Sequence, residues 1–323
     1  MSWIKVRKAL FYSLYSIVVA IFIVELLIRF FWPVMSTGTG TGIGREWFKM
    51  YWQPINTDGY RDQEVDLQVE NKLLLTIGDS FTAGYGVLFD ETYSSLLRKK
   101  LGDTYDVVNL GDNGASTSDE KDNFKRFLQK YRKIPDVIVY QYFGNDIQNL
   151  ADVDECYKFL NILGNLGKAL SRISYLYGFI DASLLQKKFS SCYVLALTSA
   201  YRDKQKLTIH KEEIKDLVSD MRSDDNIVIM IAFPYLNNDE TLINSKAIYI
   251  AEIREEFFKF CNKGDWFYDP TSAALNLKKD ERVANFMDAH PSALLHEVIS
   301  EKVGRLISNA DVRFDIEGAH KCQ

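Results

Sequence analysis

The chain has 323 residues, 47% of them hydrophobic and 26% charged, which suits one large packed domain or two small ones and excludes a disordered chain. Its formal net charge of -5 leaves no electrostatic case for a nucleic-acid partner. No CxxC pair, HExxH or GxGxxG occurs, so the sequence supports neither a metal site nor a dinucleotide fingerprint, and no cofactor is expected.

The N-terminus reads as a membrane helix. Ala9–Val24 carries no charge, and the apolar character runs on through Leu26, Leu27, Ile28, Phe30 and Phe31. A span from Ala9 to Ile28 makes roughly 30 Å of helix, enough to cross a bilayer. Glu25 and Arg29 interrupt the run, but they stand four apart on one helix face and can pair, and Arg29 can reach the headgroups. Trp32 and Pro33 suit an interfacial boundary. Lys5, Arg7 and Lys8 precede the span, so the positive-inside rule places residues 1–8 in the cytoplasm, 9–32 across the membrane, and the rest outside. The alternative is a cleaved signal peptide, for which the run is long and lacks a small-x-small site. Cys156, Cys192, Cys261 and Cys322 then lie in an oxidising compartment and allow three pairings. Proximity favours Cys156–Cys192; the alternative is four unpaired thiols.

Ser36–Gly44 is Gly/Thr-rich and reads as a flexible tether. Trp47, Phe48, Tyr51 and Trp52 are either interfacial anchors or packing on a domain edge. Asn56–Glu64 is a polar turn cluster with Gly59 placed for a positive φ. Its Arg61 reads as a substrate-contacting cation or a structural ion-pair partner. From Leu73 onward strands and helices alternate. Short apolar runs at Leu73–Ile77, Val107–Leu110, Val137–Tyr142 and Ile227–Phe233 are strands. Helical patterns cover Thr92–Leu101, Ser118–Tyr131, Leu207–Met221, Ser245–Cys261 and Ala293–Ile307. This alternation predicts an α/β fold, a doubly wound, flavodoxin-like parallel sheet of about five strands with helices on both faces. A long stretch, 150–206, separates the third and fourth strands. It reads as a helical insertion over the carboxyl edge of the sheet: a lid, a membrane-facing surface, or packing helices.

Three strand ends carry polar chemistry at the edge where open α/β sheets bind ligands. The first ends Gly78-Asp79-Ser80, the second runs from Asn109 to Gly114, and the third ends Gly144-Asn145-Asp146. A serine hydroxyl needs a base to become a nucleophile. The base is one of His210, His290, His296 and His320. His320 sits in a Gly-containing tail, His210 begins a polar helix, and His296 lies on a helix where a structural role fits. His290 is placed on a loop, just before a helix start at Pro291-Ser292, with Asp288 two residues away to hold its tautomer. The backbone N–H groups of Ser80 and Gly114 and the Asn145 side chain supply three donors for an oxyanion.

These motifs resemble the SGNH hydrolase superfamily, also called GDSL esterases, over about residues 56–307. Gly78–Gly84 is similar to the family's first block, Asn109–Gly114 to the second, Gly144-Asn145-Asp146 to the third, and Asp288 with His290 to the last. Phe143 stands where the third block's first glycine is expected, and the last block reads Asp-x-His rather than Asp-x-x-His. By that resemblance Ser80 is the nucleophile, His290 the general base and Asp288 its partner. Ser80, Gly114 and Asn145 form the oxyanion hole, and Gly78, Asp79 and Asp146 support it. The implied organisation is an anchor at 9–32, a tether and lead-in segment at 33–70, a hydrolase domain at 71–310, and a C-terminal tail at 311–323. The short last block looks like the form in some members that modify bacterial exopolysaccharide, and the Asn56-x-x-Gly59-Tyr60-Arg61-Asp62 run looks like membrane-tethered bacterial members.

The expected function is therefore a membrane-anchored serine esterase acting on O-acetyl groups of an envelope or secreted glycan, single-pass, with a periplasmic catalytic domain. Its expected partners are an acylated glycan or other ester and the membrane, not nucleic acid. Acyl transfer between sugars, a lipase or thioesterase, and a non-catalytic subunit of a polysaccharide assembly are the alternatives.

Overall fold

The computed structural model describes residues 3–32, 34–37, 42–161, 163–308 and 316–322. Its strands are β1 (Lys72–Gly78), β2 (Tyr105–Gly111), β3 (Val137–Tyr142), β4 (Ile227–Ala232), β5 (Trp266–Tyr268), β6 (Val283–Asn285), β7 (Asp288–Pro291) and β8 (Ala319–Lys321). One sheet runs β2-β1-β3-β4-β5-β8, and β6 and β7 form a separate antiparallel pair. The first five strands are parallel, in the doubly wound order expected from the sequence. The sixth, β8, is an antiparallel addition on β5.

The helices in the N-terminal half are α1 (Trp3–Phe31), α2 (Gly42–Tyr51), α3 (Ser80–Ala83), α4 (Tyr93–Leu101) and α5 (Thr117–Tyr131). The segment between β3 and β4 supplies α6 (Gly164–Ile173), α7 (Tyr175–Ile180), α8 (Gln186–Arg202) and α9 (Lys204–Met221). The remainder are α10 (Asp239–Ser245), α11 (Ala251–Phe260), α12 (Thr271–Leu275), α13 (Lys279–Arg282) and α14 (Ala293–Ser308).

Side chains alternate across a strand, and β1 shows what that does when helices cover both faces. Leu73, Leu75 and Ile77 belong to one apolar layer with Phe124 and Phe127 of α5 and Ile214 and Leu217 of α9. Leu74 points the other way, into a layer built with Tyr93 and Leu97 of α4 and Leu295 and Val303 of α14. This double burial is why β1 reads as a continuous apolar run rather than an alternating one. It also fixes the strand's carboxyl end, and with it the turn that follows.

The insertion is helical, as expected. Tyr175 through Arg202 is continuous helix, interrupted by one π-helical turn at Asp181–Leu185. Cys156–Cys192 ties it down across 36 residues, a closure that contributes roughly 3–4 kcal/mol in the chain-entropy model. A second disulfide, Cys261–Cys322, holds the C-terminal segment, in which β8 pairs with β5 at the edge of the sheet.

α1 is long and apolar enough to span a membrane: 29 residues, with a mean hydropathy of 2.3 in its most apolar window and no burial there. Its last turns are not free. Glu25 accepts hydrogen bonds from the Ser174 hydroxyl and the Tyr175 and Leu176 N–H groups, at 2.8, 2.9 and 3.0 Å. The expected Glu25–Arg29 pair is present at 3.1 Å, and Arg29 also donates to the Ile173 carbonyl at 2.7 Å. Of the stretch read as a tether, Ser36 and Thr37 are buried and α2 begins at Gly42; residues 38–41 lie outside the described residues. Trp47 and Trp52 settle the choice for the aromatic cluster. They pack with Ala83 and Tyr85 on the domain edge.

Candidate active site

β1 ends at Gly78, and Asp79 caps the short helix α3, its carboxylate accepting from the Phe81 N–H at 2.9 Å. Ser80 is thereby the first residue of a tight strand-to-helix turn. Gln141 of β3 braces this turn from below. Its Oε1 accepts from the Asp79 N–H, the Thr82 N–H and the Thr82 hydroxyl at 3.1, 3.2 and 2.8 Å. Asn109 fastens the second strand end to the same turn, donating to the Thr82 carbonyl at 3.1 Å and accepting from the Gly111 N–H at 2.8 Å. Gly111 has to be glycine because a Cβ there would lie 2.2 Å from the Ala83 nitrogen.

The fourth block arrives on a hairpin. The sequence placed His290 on a loop; the structure places it in β7, paired with β6, immediately before α14. Four residues are too few for a strand to show its period, so only the pairing reveals it. Ser292 caps α14 as the sequence implied, accepting from the Leu295 N–H at 3.1 Å. His290 Nε2 lies 2.8 Å from Ser80 Oγ, and its Nδ1 lies 2.5 Å from Asp288 Oδ1. Asp288 Oδ1 also accepts from the His290 N–H at 3.1 Å, which locks the two-residue spacing. Tyr85 and Phe81 flank the imidazole with ring centroids at 4.8 and 5.4 Å.

The electrostatics follow from burial and partners. Burial works against a charged His290, but the Asp288 charge, the hydrogen bond to it and the more distant Asp79 outweigh that and raise the histidine pKa above its ordinary value. Burial opposes ionisation of Asp288, yet His290 and neighbouring donors hold its carboxyl below the usual range. Behind the turn the sign reverses. Burial, and then Asp79, push Asp146 well up; burial, and then Asp146, do the same to Glu120 of α5. The carboxyls behind the serine are thus shifted up, while that of Asp288 is held down beside its histidine.

Gly114 has φ +76, a left-handed conformation that favours glycine, and it borders the same cleft as Ser80 and His290. Asn145 is buried and is not among the residues that line this cleft; its amide acts on the Asp79 carboxyl. Phe143, in the position where a glycine was expected, stacks on Phe81 with centroids 4.3 Å apart. The close approach falls instead to Gly144, where a Cβ would lie 2.5 Å from the Tyr235 hydroxyl.

The cleft measures about 720 Å³. Ser80, Tyr85, Gly114 and His290 form its floor, and the insertion forms a wall through Tyr157, Gln186, Phe189 and Tyr193. Tyr157, Phe189 and Tyr193 run ring to ring at 5.1 and 5.4 Å. The insertion is thus a wall of the site itself.

Other candidates go elsewhere. Arg61 touches no cleft and makes no ion pair among the described residues. It is buried and donates to the carbonyls of Tyr51, Ala83, Gly84 and Val87, with its guanidinium 4.6 Å from the Trp52 ring. Desolvation lowers its pKa to about 10. His210 is inside α9, not at its start, and bonds the Tyr142 hydroxyl at 2.7 Å in the core. His296 accepts from the Tyr93 N–H, buried with its pKa lowered by desolvation to about 3. His320 lies on β8. Sequence reasoning missed Gln141, whose signal was a lone amide inside an apolar strand, and the wall aromatics, which have no spacing signature. It also missed Ser36, which read as tether.

The profile of the GDSL-like lipase/acylhydrolase family matches residues 76–298, more than half of the chain. Among curated proteins none matches. Similar solved structures include an acetyl xylan esterase from Geobacillus stearothermophilus (16% identity, TM-score 0.46, covering 75% of this chain and 97% of that one). A carbohydrate acetylesterase family member from Sinorhizobium meliloti is similar at 15% identity and TM-score 0.42, covering 74% of this chain and 98% of that one. TesA is similar at 14% identity and TM-score 0.44, covering 74% and 99%. Matched from within β1 to within α14, across every strand end described above, the chain belongs to the GDSL-like lipase/acylhydrolase family.

Proposed function

We propose that this ester hydrolase is a membrane-anchored serine esterase that removes O-acetyl groups from an envelope or secreted glycan through an acyl-enzyme on Ser80. Ser80 Oγ attacks the ester carbonyl while His290 Nε2 takes its proton, and Asp288 stabilises the imidazolium. The Ser80 and Gly114 N–H groups and the Asn145 amide receive the oxyanion. His290 then protonates the departing sugar hydroxyl, and water, activated by the same histidine, releases acetate and frees Ser80. The observation that carries this reading is the alignment of Ser80, His290 and Asp288 at 2.8 and 2.5 Å.

The glycan is supported by a wide cleft whose aromatic wall stands among amide and carboxylate groups, a mixture suited to a sugar's apolar faces and hydroxyls. The anchor is supported by α1, and an oxidising, periplasmic compartment by the two disulfides. The cleft is far larger than an acetyl group, which also favours a second reading in which a sugar hydroxyl replaces water and the reaction is acyl transfer.

The test is labelling of the full-length chain in detergent with a fluorescent fluorophosphonate, alongside Ser80→Ala and His290→Ala. We expect labelling of the wild type, loss in both variants, and acetate release from acetylated oligosaccharides by the wild type alone. A folded wild type that takes no label would sink the acyl-enzyme reading.

A further inference from the structure

Ser36 stands four residues beyond Trp32, where the chain leaves α1, and it is 1% exposed. Asn285 Nδ2 holds it twice, donating to its carbonyl and to its hydroxyl oxygen, both at 3.0 Å. Asn285 ends β6, and its strand partner is Asp288. The Asn285 amide thus occupies a lone pair of Ser36 Oγ and leaves the hydroxyl proton to be donated elsewhere.

Asp288 presents the complementary need. Its Oδ1 serves His290, whereas Oδ2 is buried and has no settled partner among the described residues. The two groups meet over Gly86, where a Cβ would lie 3.1 Å from Asp288 Oδ2 and 3.3 Å from Ser36 Oγ. The Ser36 hydroxyl is among the groups that hold the Asp288 carboxyl low. A buried carboxylate oxygen without a donor is costly, and a hydroxyl rotates freely to reach one.

We propose that Ser36 is a positioning residue of the active site: its hydroxyl, oriented by Asn285, donates to Asp288 Oδ2 and keeps Oδ1 aimed at His290. The line of hydrogen bonds then runs from Ser80 through His290 and Asp288 to Ser36, on the segment that follows the membrane helix. This rests on the acyl-enzyme reading, which fails separately if wild-type Ser80 takes no fluorophosphonate.

The test uses the full-length chain in detergent and the hydrolysis of p-nitrophenyl acetate by the wild type, Ser36→Ala and Ser36→Thr, with thermal melting as a control. A hydrogen bond to a charged group sets the scale, so Ser36→Ala is expected to lower kcat about ten-fold or more with KM unchanged. Without the hydroxyl, Asp288 is a stronger acceptor and holds the His290 proton more tightly. The acid limb of the kcat/KM profile should therefore move to higher pH, and threonine should restore both quantities. The titratable groups facing His290 are Asp288 on its own hairpin, Asp79 at the nucleophile turn, Tyr85 beside it and the buried His296 of α14, and none of them is altered by these substitutions. An unchanged rate and an unmoved limb in Ser36→Ala would overturn the proposal. So would a rate loss that tracks a lower melting temperature in both variants with no movement of the limb, because that marks packing alone.

Discussion

His290 acts as a base only when neutral, so its pKa decides where activity begins. Burial lowers that pKa, but Asp288, at 2.5 Å, and Asp79 reverse the effect and leave it raised. Activity should therefore rise with pH through a value above the ordinary histidine pKa of about 6.5, and fall away below it. Asp288→Asn removes the charge that raises it and should shift the acid limb toward lower pH while reducing kcat/KM. Profiles of kcat/KM for wild type and variant check this; a wild-type limb below the ordinary value would mean that desolvation wins. Ser80, His290 and Asp288 were legible in the sequence because each sits in a short motif with its own signal. Ser36 and Gln141 were not, because a supporting role is set by what a side chain faces across the fold, and local spacing carries no trace of that.

Among the elements, the long apolar strands were the easiest to read, since burial on both faces leaves continuous apolar runs in β1 to β4. Three-residue strands such as β5 and β8 carry no readable period, and β8 is held by the Cys261–Cys322 bridge rather than by pattern. The insertion was legible as helix but not as a wall of the cleft. Its main helix begins at Tyr175 with its first N–H groups satisfied by Glu25, a side chain from another helix, and its far half carries Gln186, Phe189 and Tyr193 into the cleft. A cap of this kind contributes about 0.5–2 kcal/mol. Glu25→Ala should therefore speed amide exchange across Ser174–Ile180 several-fold. The change should stop at the π-helical turn of Asp181–Leu185, because the Cys156–Cys192 bridge pins the half beyond it. Hydrogen exchange read by mass spectrometry checks both points, and unchanged exchange across Ser174–Ile180 would show that Glu25 does not act as a cap.

At the scale of the whole molecule, α1 and the segment that follows it meet the hydrolase domain at several places. Glu25 and Arg29 hold the insertion. Trp32 packs against Phe179 of the insertion and against Phe286, at the tip of the hairpin that carries His290, with centroids at 5.2 and 6.1 Å. Ser36 is fixed to Asn285 on the same hairpin. Four residues of chain span at most about 14 Å, so if Trp32 marks the membrane boundary, Ser36 lies within that distance of it. Exposed apolar side chains on the same side, Phe31, Ile173 and Phe286, fit such a boundary. An esterase on a leash could sample substrate far from the membrane, whereas under the proposed anchoring this arrangement would hold the nucleophile beside the bilayer and favour esters presented there. The prediction is optical. Full-length chain in lipid nanodiscs, labelled on Ser80 with a fluorescent fluorophosphonate, should be strongly quenched by nitroxide carried on lipid headgroups. The fluorescence of a labelled soluble serine esterase in the same suspension provides the baseline. Quenching no greater than that baseline would mean that the site stands away from the membrane and that the contacts of α1 and the segment after it with the insertion and the hairpin do not persist in a bilayer.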